Sequence, residues 1–184
     1  MIKKSFLSTA LFLSATCLMN AQIFLAKTCE TSFFSSSPLE NIAATNKTAK
    51  PILNTSTGDL QVKIPIISFK FEKPLMEEHF NENYMETEKF PNAVFKGKIN
   101  ETIDYTKEGE YKVTVKGNLD MHGVIKEITL EGTVTVKGGQ ITLKCKFMVH
   151  IADYKIKVPS LYVKNIAEDV EVKLDAVLDP FQKK

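Results

Sequence analysis

Arginine is missing from this chain. None of its 184 residues is one, so lysine supplies all 24 of the cations counted as Lys+Arg. A lysine ammonium is a point charge, so the planar two-pronged fork that grips phosphate or carboxylate is unavailable. A phosphate head group would have to be held by lysine or by backbone N–H groups. Histidine is scarce too, with three in all. His79, His122 and His150 lie far apart, and no HExxH or His-x-x-x-His spacing occurs. No GxSxG elbow, P-loop or GxGxxG stretch is present. The lone histidines read as solvated side chains in a turn or on polar faces, and an enzyme is the least favoured reading. The three cysteines have no metal-binding spacing. No repeat or linker marks a second domain.

The N-terminus reads as a leader and not as part of the fold. Lys3 and Lys4 precede the apolar run Phe6 to Met19, and smaller or polar residues follow to Ala21. That is the order of a secretory signal peptide, too short to span a bilayer comfortably. Cleavage after Ala21 would leave a single domain at 22–184 and place the protein in the periplasm or outside the cell. A lipid anchor on Cys17 is the weaker alternative, because Ser14-Ala15-Thr16 lacks the leucine that starts a lipid-attachment box. No other apolar stretch is long enough to cross a membrane as a helix. Loss of the leader's two lysines takes the net charge from +2 to about 0, which argues against nucleic acid as a partner. It also leaves Cys29 and Cys145. An exported pair permits a disulfide, but two separate buried thiols are the favoured reading.

Hydrophobic residues make up 43% of the chain, enough for a globular core. Most of them alternate. Leu60, Val62, Ile64 and Ile66 share one parity, and from Ile67 the parity flips to Ile67, Phe69 and Phe71. Such a flip predicts a β-bulge. Tyr111 to Met121, Ile128 to Val136, Ile141 to Ile151 and Val170 to Leu178 each read as a strand with one apolar face. Gly138-Gly139 marks a hairpin. Thr31 to Ser36 predicts a short strand, whereas Glu40 to Asn54 is weakly patterned, with Pro51 as a break. Met76, Phe80 and Tyr84 recur every four residues on a helix that Pro74 opens and Pro91 ends, with Glu77, Glu78, Asn81 and Glu82 opposite. Ala93 to Ile99 then alternates as a strand. The sum is an all-β chain of about eight antiparallel strands with one short α-helix, closing as an up-and-down barrel or folding as a sandwich.

Two stretches carry a family resemblance. MEEHFNENYMETEKFPNAVFKG, Met76 to Gly97, and GNLDMHGVIKEITLEG, Gly117 to Gly132, resemble in order and spacing the YceI-like family of lipid-binding proteins. The resemblance runs from about Lys27 to Leu178. It implies a lipocalin-like antiparallel β-barrel with a polyisoprenoid lipid held inside, and no cofactor.

Parity and helix face nominate the residues that would line such a channel: Phe71, Met76, Phe80, Tyr84, Phe95, Leu119, Met121, Leu130, Phe147 and Val149. For each, ordinary core packing competes. Tyr84 could offer a hydroxyl to a head group, and His79 is a weaker candidate at the mouth. Without arginine, a quinone, prenol or fatty acyl head is at least as suitable as a pyrophosphate. The expected partner is a long isoprenoid or similar apolar lipid, with no stable membrane insertion; a homodimer stays open. The alternatives are a filled-barrel stress-response or interaction module and, behind it, an enzyme.

Overall fold

A computed structural model describes residues 22–36, 41–158 and 167–182. The expected leader lies outside them. Among the described residues, ten strands form one antiparallel sheet that closes on itself: β1 (Ile23–Ser35), β2 (Ile42–Asn46), β3 (Lys50–Asn54), β4 (Asp59–Pro65), β5 (Lys70–Phe71), β6 (Asn92–Ile99), β7 (Gly109–Met121), β8 (Val124–Lys137), β9 (Gln140–His150) and β10 (Asp169–Pro180). The closing pair is β1 with β10, from Phe24↔Pro180 to Phe34↔Glu171.

The ten strands make eight staves. β2 and β3 lie along the same edge of β1 in one continuous register, Thr31↔Asn46 and Ile23↔Asn54, so they are one strand interrupted at 47–49. The break expected at Pro51 is therefore displaced: Pro51 sits within β3, fully buried and paired with Val62. Asn46 stabilises the interruption. Its Nδ2 donates to the Pro65 carbonyl at 2.7 Å, and its Oδ1 accepts from the Thr48 N–H at 2.7 Å. β4 and β5 form a second broken stave, split by a 3₁₀ turn at Ile66–Ser68. That turn, and not the expected β-bulge, makes the parity flip: Ile66 and Phe69 are buried, while Ile67, expected on the same face as Phe69, is exposed within the turn. β1 is also longer than the predicted Thr31–Ser36, because tertiary pairing with β10 orders the mixed stretch from Ile23.

Two glycine sites shape the wall. Gly138 and Gly139, at φ 58° and 75°, make the tight β8–β9 turn that L side chains rarely adopt. Gly97 sits where β6 meets β7 closely, and a Cβ there would lie 2.6 Å from Cζ of Phe95 and 2.8 Å from the Lys116 carbonyl.

Pro74 opens helix α1 (Pro74–His79), which continues as a wider π-helical turn over Phe80–Tyr84. The helix ends earlier than Pro91 would require. Glu86 takes a left-handed conformation, φ 43°, and its carbonyl accepts the N–H groups of Lys89 and Phe90.

The core is divided. A large cluster fills one end of the barrel, with Leu53, Val134, Ile141 and Leu178 almost fully buried. Each such side chain contributes about 1.5–3 kcal/mol. A smaller cluster of Ala44, Ile66, Phe69, Met85 and Ala93 lies beneath the helix.

Candidate functional site

The helix end of the barrel is hollow. A cavity of about 450 Å³ lies between the filled core and the helix, within the usual span of small-ligand sites. Its walls come from β1, β2, β4, β5, β6, β7, β9 and β10, the helix and the turns after β4 and β9. On the helix side Phe33, Phe69, Phe71 and Phe80 form an aromatic cluster with ring centroids 5.0–5.7 Å apart. Such pairs add about 0.5–1.5 kcal/mol each beyond area burial.

The helix is tied down beside this cluster. Lys70 on β5 forms an ion pair with Glu77, whose other oxygen accepts the Phe71 N–H at 3.3 Å. The lysine hydrogen bond, with the backbone one helping, holds the Glu77 carboxyl below its ordinary range against the opposing effect of burial. Asn81, expected on the outer helix face, is buried and donates through Nδ2 to the Glu77 carbonyl at 2.9 Å.

Eight of the ten nominated residues line the cavity: Phe71, Met76, Phe80, Tyr84, Leu119, Met121, Phe147 and Val149. Phe95 and Leu130 do not. The Phe95 ring turns over Gly97 and fills the space left by its missing side chain, deep in the closed core. Leu130 has the inward parity but lies where β8 has parted from β9, in a separate hollow. The sequence reading missed Phe33, Ile156, Val158, Val170 and Val172 as lining residues. Adjacent phenylalanines in TSFFSS hid the parity of Phe33, and Ile156 and Val158 lie in an irregular segment where alternation gives no guide.

Polar groups in the lining are few: Thr31, Ser35, Lys73, His79 and Tyr84. Ser35 is committed, since its Oγ accepts the Ala167 N–H at 3.1 Å. Lys73 is the one lysine in the lining among the described residues.

His122 departs from the expected solvated turn. It is buried at φ 52°, and its Nδ1 donates to the Tyr154 carbonyl at 2.9 Å, because a carbonyl can only accept. Nε2 lies 3.3 Å from Glu86 Oε2, at ion-pair distance but without hydrogen-bond alignment. The ring rests on Phe90, centroids 4.6 Å apart. One side chain thus joins the β7–β8 turn, the turn after β9 and the segment leaving the helix. His150 stays on the surface beside Asp169, as its parity implied. Among the described residues no cluster of His, Cys, Asp or Glu could hold a metal ion, and no helix is long and apolar enough to cross a membrane.

These features define a class: a closed antiparallel β-barrel, packed solid at one end and hollow, apolar and helix-capped at the other. The chain belongs to the YceI-like family, whose domain model matches residues 24–178. Its fold is shared by several solved structures of low identity. A polyisoprenoid binding domain from Saccharophagus degradans, implicated in plant cell wall breakdown, superposes with a TM-score of 0.74 at 17% identity, over 88% of this chain and 99% of that one. BcnA of Burkholderia cenocepacia gives 0.68 at 18% identity, over 81% and 95%. The YceI protein of Campylobacter jejuni gives 0.55 at 20% identity, over 74% and 81%. No curated protein matches the sequence.

Proposed function

We propose that this is an exported binding protein that holds an apolar lipid of polyisoprenoid or isoprenoid-quinone type in the hollow end of its barrel, as a carrier, store or scavenger. The observation that carries the reading is the cavity: about 450 Å³, walled by aliphatic and aromatic side chains, with its polar groups few. Burial stabilises by roughly 0.8 kcal/mol per methylene, so an apolar chain gains much from such a site and needs few specific contacts. Kinship with a polyisoprenoid binding domain supports the same ligand class. Tyr84, His79 and Lys73 at the cavity would meet the head group, and with no arginine a neutral prenol or quinone head suits them at least as well as a pyrophosphate.

The test is to express the full chain in a Gram-negative host, purify it without detergent, and extract it with organic solvent for mass spectrometry. A stoichiometric isoprenoid, quinone or acyl lipid is the expected result. Protein that carries none, and that takes up no prenol or fatty acid when titrated, overturns the reading and favours the filled-barrel module. N-terminal sequencing of the exported product tests the leader: a mature end near Gln22 is expected, and an intact Met1 or a lipidated Cys17 would contradict it.

A further inference from the structure

The barrel wall has a side opening. β8 begins at Val124 and β9 runs to His150, yet the two pair only from Gly132↔Cys145 to Lys137↔Gln140. Each stays paired on its far edge to the end, β8 with β7 through Met121↔Val124 and β9 with β10 through Asp169↔His150. The facing edges therefore diverge over half the length of β8.

A second hollow of about 530 Å³ occupies the divergence. Its lining is mixed: Ile128, Leu130, Phe147 and Tyr154 stand beside Lys126, Glu127, Thr129, His150 and Asp153. Lys126 reaches across from β8 to Asp153 in the turn after β9, at 2.7 Å. Leu119, Phe147 and Val149 line this hollow and the main cavity alike. Those three side chains stand between the two spaces, and Phe147 is the largest of them.

Size gives the opening a use. At about 10–15 Å³ for each water-sized group, the main cavity has room for roughly 30–45 such groups. Only the longest polyprenyl chains exceed that, and they must leave the cavity by its mouth or through the wall. The filled core blocks the far end. We infer that the hollow between β8 and β9 is a second subsite, which takes the distal end of an apolar chain too long for the main cavity, with Phe147 as the partition between them. The site rests on the lipid-binding reading above and adds to it a residue that sets chain length. Ile128, Leu130 and Phe147 would cover the methylenes of a chain end, while the Lys126–Asp153 pair meets water.

The experiment measures affinity against chain length. Geraniol, farnesol, geranylgeraniol and solanesol displace a fluorescent fatty-acid probe from the mature protein and from three variants. Leu130→Trp fills the second hollow, Leu130→Met is its conservative control, and Phe147→Ala removes the partition. In the native protein affinity should rise along the whole series. Leu130→Trp should flatten the rise for the longest chains by at least about tenfold, the worth of two or so buried methylenes, while Leu130→Met keeps it. Phe147→Ala should favour long chains over short ones. Equal slopes in the native protein and Leu130→Trp, or a loss shared by all chain lengths in both Leu130→Trp and Phe147→Ala, overturns the subsite. Failure of every prenol and of the probe to bind the native protein overturns the lipid-binding reading itself, and the two failures are distinct because slopes exist only where short chains bind.

Discussion

Phe147 and Lys146 are neighbours in the chain and face opposite sides of the barrel wall. Phe147 lines the cavity, while the Lys146 ammonium lies 2.6 Å from Glu171 Oε2 on the outer face. Successive residues of a strand alternate in this way, and the pair separates the effect of the ligand space from that of the surface.

Phe147→Asp should abolish lipid uptake, because a carboxylate there must be desolvated, protonated or hydrated at a cost of several kcal/mol. Lys146→Gln should keep uptake within about twofold and lose less than about 1 kcal/mol of stability, since an exposed ion pair is worth little. Parallel lipid titration and urea unfolding of the two variants check this. Loss of binding in Lys146→Gln would show that the wall's outer charge matters more than its parity.

Cys29 and Cys145 should remain free thiols. Cys29 pairs with Ala176 and Cys145 with Leu174, so β10 stands between them. Strands roughly 4.8 Å apart, with a two-residue offset along β10, place the two Cα atoms about 11–12 Å from each other, beyond the about 7 Å a disulfide tolerates. Burial is the main cause that pushes both thiols up to about 11. At pH 8 the folded domain should therefore react slowly with a thiol reagent and release two thiols once unfolded. A native mass two hydrogens short would refute this.

His150 should titrate above the ordinary histidine value. Its Nδ1 lies 2.9 Å from Asp169 Oδ1, and that hydrogen bond, with the carboxylate's charge, raises it against burial. A histidine raised in the folded state adds stability that is fully present below its unfolded value of about 6.5 and is lost as pH rises through the folded one. NMR titration of the imidazole should show the raised value, and Asp169→Asn should bring it down. No change in Asp169→Asn would mean that the pair is not formed in solution. His150 is exposed, so the effect on global stability should be slight.

His122→Ala should destabilise the fold by about 1–3 kcal/mol, because it leaves the Tyr154 carbonyl without its donor and opens a void against Phe90. Urea unfolding at neutral pH measures it. The same substitution at exposed His150 should cost far less, and equal costs would sink the view that His122 joins three segments.

The sequence by itself determined the antiparallel strands and the side each regular one presents inward; alternation left barrel and sandwich open, and the pairing of β1 with β10 decided for the barrel. Period-two alternation in Tyr111–Met121 and Ile141–Ile151 has only one reading when one face is wet, and the helix spacing of Met76, Phe80 and Tyr84 likewise puts those three on the cavity. Tertiary structure decided what alternation cannot encode. Inward parity does not say how far along the barrel a residue sits: Phe95 and Phe147 share it, yet one is sealed in the core and the other faces empty space. Nor does it say whether a strand is still paired at that level, which is why Leu130 leaves the cavity where β8 and β9 part. His122 was illegible for a related reason. Its burial comes from Glu86, Phe90 and Tyr154, residues remote in sequence that meet only when the barrel closes. Local pattern sets which way a side chain points; closure and stagger of the staves set what it meets there.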